Sequence, residues 1–197
     1  AQFDENLRDD RIQAVIALNP VTSSLFGDEG FANLAIPSLM VAGSEDPLAP
    51  ALLEQIQPFT WLNEADSLSE NDANSQKPPH YLALIEGGSH LYDVLNIEEV
   101  DRAAIASNLI SVDPDLAYSY LKALTLGFLR AELDQDSLYK ASLDDASIVQ
   151  LGEQPLPLYI VRTLTSNMLT PPSEAVPASS DAPTAPTPDV VPPTPAQ

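Results

Sequence analysis

Three short apolar runs, each stopped by a turn, set the rhythm of the first half of the chain. Residues 11–20 read Arg-Ile-Gln-Ala-Val-Ile-Ala-Leu-Asn-Pro, with an apolar centre at 14–18 that Asn19-Pro20 ends. Residues 36–50 read Ile-Pro-Ser-Leu-Met-Val-Ala-Gly-Ser-Glu-Asp-Pro-Leu-Ala-Pro, and their run over 38–42 breaks at Gly43. Residues 80–86 hold a third run, centred on 81–85, which Gly87-Gly88-Ser89-His90 breaks. Short continuous runs between turn residues predict strands buried on both faces, as in a parallel sheet.

Between and after these strands the pattern turns helical. Leu52, Leu53 and Ile56 share one face of a predicted helix over 49–62, which Pro58 should end or kink. A helix over 98–109 is opened by acidic residues that suit its N-terminal dipole. The strongest helix spans 112–133. Asp113-Pro114 supplies an N-cap and a proline at the first helical position, and Leu116, Tyr120, Leu121, Leu124, Phe128 and Leu129 form its apolar stripe. Residues 137–150 suit another short helix. Residues 21–35 read as a loop with one helical turn, and 155–169, opening Pro-Leu-Pro-Leu-Tyr, as an irregular closing segment. Residues 1–10 show no period. Residues 63–79 are polar with a Pro-Pro exit and read as an exposed insertion; its acids lack the spacing of a calcium loop. From residue 170 onward Pro, Ala, Ser and Thr dominate, so too little apolar surface remains to offset ordering entropy, and a disordered tail is expected.

Composition narrows the function. The 197 residues include 29 acidic and only eight basic side chains, for a formal charge of −21. Nucleic-acid binding needs clustered Lys and Arg and is disfavoured, as is electrostatic attachment to anionic membranes. With no Cys, disulfides, thiolate metal sites and Cys nucleophiles are excluded. No apolar run reaches the length of a membrane span, and no signal peptide is read at the start.

The candidate chemistry lies at two strand ends. Open parallel sheets place ligands beyond the carboxyl ends of their strands. Asp46 follows the second predicted strand and His90 the third, so both should emerge on one rim. A carboxylate bonded to an imidazole fixes its tautomer and stabilises the imidazolium formed in proton transfer. Singly, Asp46-Pro47 is also an ordinary turn pair, and His90 after two glycines an ordinary loop histidine. The other histidine, His80, sits at the start of its strand, on the opposite rim. No G-x-S-x-G motif is present, so no serine is identified as a nucleophile. Ser23 and Ser24 follow a strand without the flanking glycines, and Gly43-Ser44 and Gly88-Ser89 lack the pattern too.

Residues 11–20, 36–50, 58–62 and 81–90 together resemble the C-terminal half of an α/β-hydrolase. The likeness is to bacterial, especially cyanobacterial, dienelactone-hydrolase-like proteins, related to the platelet-activating-factor acetylhydrolase type. The helical segment 118–130 and the Pro-Leu-Pro-Leu run at 155–158 fit it as well, and it covers most of 9–164. The resemblance implies a partial α/β-hydrolase fold over 1–169, with C-terminal parallel strands, flanking helices and a Pro-rich tail. It implies Asp46 as triad acid and His90 as triad base, with the serine on a missing N-terminal half. It further implies a small ester or lactone substrate, no cofactor or metal, and export. The expected function is the acid/base half of a serine carboxylic-ester hydrolase, inactive as an isolated chain. The alternative is a non-catalytic hydrolase-like binding or interaction module. A nucleotide-binding half-domain is disfavoured by the lack of a Gly-rich phosphate loop.

Overall fold

Strands β1 (Val15–Leu18), β2 (Ser38–Gly43) and β3 (His80–Ile85) form where the apolar runs predict them and pair in parallel in that order. The computed structural model that defines them describes residues 9–32, 34–68, 78–90 and 105–170. A fourth strand, β4 (Leu158–Val161), pairs antiparallel with β3 and completes a mixed four-stranded sheet. β4 corrects the expectation of an irregular segment there. Its four residues alternate buried and exposed, too short a pattern to register beside the prolines that precede it.

Helices cover both faces, as an α/β architecture requires. On one face Leu39, Val41, Tyr81, Ala83 and Ile85 pack against α3 (Pro114–Glu132) through Ala117, Tyr120, Leu124 and Phe128. The cap is the predicted one, with the Asp113 side chain accepting the Leu116 N–H at 3.0 Å. The short helices α4 (Ser137–Ser142) and α5 (Asp145–Leu151) add Leu143, beside α4, and Ile148 to this core. On the other face Met40, Ala42 and Leu82 meet Phe31 of α1 (Ser23–Ala32) and Phe59 and Leu62 of α2 (Gln57–Leu68).

Three further expectations are revised. Residues 23–32 are helical rather than mostly loop, with a kink at Gly27. The N-terminus of α1 is held by Glu54, whose carboxylate accepts the Thr22 and Ser23 N–H groups at 2.8 and 3.0 Å and the Ser23 hydroxyl at 2.9 Å. Pro58 does not end its helix. Proline has no N–H for the carbonyl four residues back, and the Glu54 carbonyl instead accepts the Thr22 hydroxyl. A π-helical turn at Leu52–Ile56 absorbs the mismatch upstream. α2 then runs on to Leu68, into the expected insertion, of which 69–77 lie outside the described residues. Of the helix expected over 98–109, residues 98–104 lie outside the described residues, and 105–109 hold a 3-10 turn at Ser107–Leu109. The N-terminal residues 1–8 and the tail 171–197 also lie outside the described residues.

β1 is paired on one side only among the described residues. Val15 donates to Pro37 O at 3.0 Å and Asn19 to Val41 O at 2.8 Å, so alternate residues point their backbone groups at β2. Ile16 and Leu18 therefore present theirs along the open edge. Beside this edge lies an apolar groove of about 340 Å³, lined by Val15, Ala17, Phe26, Phe31 and Met40 among others.

Candidate active site

The turns that leave β2 and β3 lie against each other at the carboxyl rim of the sheet. Ser44 N–H donates to Ile85 O at 3.1 Å, Glu45 N–H to Gly88 O at 2.9 Å, and Gly87 N–H to the Ser44 hydroxyl at 2.9 Å. Two glycines make this approach possible. Gly87 has φ +76°, a left-handed conformation that costs a glycine little. A Cβ on Gly43 would lie 2.5 Å from Gly88 O, inside any real contact, so only glycine fits at the end of β2.

Asp46 and His90 meet across this junction. His90 Nδ1 lies 2.8 Å from Asp46 Oδ2. A carboxylate oxygen only accepts, so Nδ1 carries the hydrogen and donates it. The other oxygen, Oδ1, accepts the N–H groups of Leu48 and Ala49 at 2.8 and 3.0 Å. Both oxygens are thus occupied and the carboxylate plane is fixed. The Asp46 side chain is fully buried, whereas 29% of the His90 side chain is exposed. A buried carboxylate is costly unless bonded, and two N–H groups with an imidazole meet that requirement. With Nδ1 turned toward Asp46, Nε2 is the nitrogen left to take a proton from a reacting hydroxyl.

The loop bearing His90 is fastened from a third side. Ser89 N–H donates to the Ser111 hydroxyl at 3.0 Å, and the Ser89 hydroxyl to Asn108 O at 2.5 Å. Asn19, read from the sequence only as the stop of the first strand, is buried beneath both turns. Its Oδ1 accepts Gly43 N–H at 2.9 Å, and its Nδ2 donates to Ser89 O and His90 O, each at 3.0 Å. Asparagine before proline signals a chain stop, and nothing in the pattern shows that its side chain reaches two other strands.

His80 lies at the far rim, as its place at the start of β3 implies, with Nδ1 2.8 Å from the Ser38 hydroxyl. Three of the four serines weighed as nucleophiles are engaged elsewhere: Ser23 with Glu54, Ser44 with Gly87, Ser89 with Asn108. Among the described residues no three His, Asp or Glu side chains gather into a metal site, and no helix is long and apolar enough to cross a membrane. Compared with known proteins, the chain matches no family model and no curated sequence.

Proposed function

We propose that Asp46 and His90 are the acid and base of a serine carboxylic-ester hydrolase acting on a small ester or lactone. In this reading the nucleophilic serine comes from a part of the enzyme outside this chain. The observation that carries the reading is the 2.8 Å contact between a partly exposed imidazole and a fully buried, doubly anchored carboxylate at the carboxyl rim of a largely parallel sheet. Among the described residues β1 has a partner strand on one side only, which supports the second half of the proposal. Parallel strands are normally flanked on both sides, and a further strand there would bring the serine-bearing segment alongside the pair.

The chemistry follows from the tautomer. Nε2 of His90 takes the serine proton as Oγ attacks the carbonyl carbon, and Asp46 stabilises the imidazolium that results. The imidazolium returns that proton to the departing alkoxide, leaving an acyl-enzyme. Water then loses a proton to Nε2 and attacks the acyl carbon, and the same proton restores the serine hydroxyl as the acid departs.

The alternative, a non-catalytic hydrolase-like module, is favoured by one observation: the hydroxyls of Ser23, Ser44 and Ser89 are bonded away from His90. Turnover of p-nitrophenyl esters by the product of the whole reading frame separates the two. The enzyme reading expects turnover that His90→Ala lowers by about a thousandfold or more. No turnover, or turnover that His90→Ala leaves intact, would favour the module.

A further inference from the structure

We infer that Asn19 is a positioning residue for the Asp46–His90 pair, its carboxamide setting the spacing between the turn that carries the acid and the loop that carries the base. The inference rests on the proposed reading of that pair and adds a third residue to it, from a strand that supplies neither partner.

The backbone of Asn19 is in the left-handed region, with φ +43°. Asparagine takes that conformation more readily than most non-glycine residues, but a residue before proline is biased toward extended backbone, and Pro20 follows. Such strain persists only where surrounding contacts over-determine it. Here the side chain, in a residue only 4% exposed, makes three hydrogen bonds to the backbone of two other strand ends. Gly43, which donates to it, closes β2 three residues before Asp46, and one of the carbonyls it holds belongs to His90 itself.

The chemistry required is narrow. One group must accept from an N–H on one turn and donate twice to carbonyls on the other, from a short stem. Asparagine does this; aspartate cannot donate, and serine has a single hydrogen. Because the carboxamide is planar and rigid, the separation of Gly43 from Ser89 and His90 follows its dimensions. That separation governs whether Nδ1 of His90 reaches Oδ2 of Asp46.

The test uses the two-histidine chain labelled with ¹⁵N-histidine, observed near pH 9, above the ordinary imidazole range of about 6.5. His80→Gln and His90→Gln spectra assign the signals. In the wild type, the His90 ring nitrogens are expected well separated, with Nδ1 protonated. Asn19→Gly keeps the left-handed backbone and removes all three bonds. Asn19→Asp keeps the acceptor for Gly43 and removes both donors, and serves where the glycine variant does not fold. In the folded variant we expect more than half of the His90 separation to be lost, as the ring samples both tautomers, while His80 stays unchanged. A folded variant whose His90 signals match the wild type overturns the role of Asn19 alone. A wild type lacking the Nδ1-protonated signature overturns the pair itself, so the two failures are distinguishable.

Discussion

Replacing Gly43 by alanine probes the junction on which the candidate site is built. The added Cβ would lie 2.5 Å from Gly88 O, 2.7 Å from Gly88 C and 2.9 Å from Ser89 O, where ordinary contact begins near 3.4 Å. All three are backbone atoms, so no side chain can swing aside, and the two turns must part by about 0.9 Å. Bonds across the gap now measure 2.9 Å from Glu45 N to Gly88 O and 2.8 Å from His90 Nδ1 to Asp46 Oδ2. That displacement carries both past the useful hydrogen-bond range of about 3.2 Å. Overpacking costs about 1–3 kcal/mol and each of the two loosened bonds about 1 kcal/mol, so Gly43→Ala should destabilise the fold by roughly 3–5 kcal/mol. Urea unfolding followed by the fluorescence of Trp61, the single tryptophan, measures this as a lower midpoint at unchanged slope. The His90 ¹⁵N signals should lose their separation in the same variant. Gly27→Ala is the control: its φ of +62° makes alanine strained, but nothing lies within 4 Å of the new Cβ. It should cost about 1–2 kcal/mol and leave His90 unchanged. A Gly43→Ala chain within about 0.5 kcal/mol of the wild type, with His90 undisturbed, would refute the packing argument.

Two further outcomes follow from other contacts. Glu54→Ala removes the remote cap of α1 and should cost about 1 kcal/mol by denaturant unfolding. Burial works to raise the Glu54 carboxyl, but hydrogen bonds from Ser23 and Thr22 outweigh it and hold the group below its ordinary 4.5. Its contribution is therefore full above that value and lost as pH falls through the lower folded value, so the gap between wild type and variant should narrow on acidification. A gap independent of pH would count against the cap. Tyr81→Phe removes the hydroxyl that lies 2.7 Å from the buried Glu132 carboxylate. The expected loss is about 1.5–3 kcal/mol, measured by the same unfolding. The phenol itself is pushed well up by burial, then by the Glu132 bond and charge, with Arg162 opposing, so wild-type stability should show no tyrosine titration below about pH 10.

The parallel core was legible because β2 and β3 are buried on both faces, and such strands read as unbroken apolar runs with sharp glycine or proline ends. α3 was legible because its cap, proline and stripe are all local. What escaped depends on partners distant in sequence. α1 is capped by a glutamate 31 residues on. Pro58 is tolerated because the Glu54 carbonyl takes a hydroxyl from residue 22. β4 is specified by its pairing with β3 more than by its own four residues. At the candidate site, Asp46 and His90 could be placed on one rim from strand direction alone. Asn19 could not, since an asparagine before a proline looks the same whether its side chain faces water or spans two turns.

The central claim is that one carboxylate and one imidazole handle a proton as a unit. A double-mutant cycle on ester turnover by the product of the whole reading frame tests it most directly, with kcat/KM measured for the wild type, Asp46→Asn, His90→Ala and the double variant. Residues acting as a unit are non-additive, so the account predicts that the double variant loses no more than His90→Ala alone. Losses that multiply, or full turnover in His90→Ala, would contradict it.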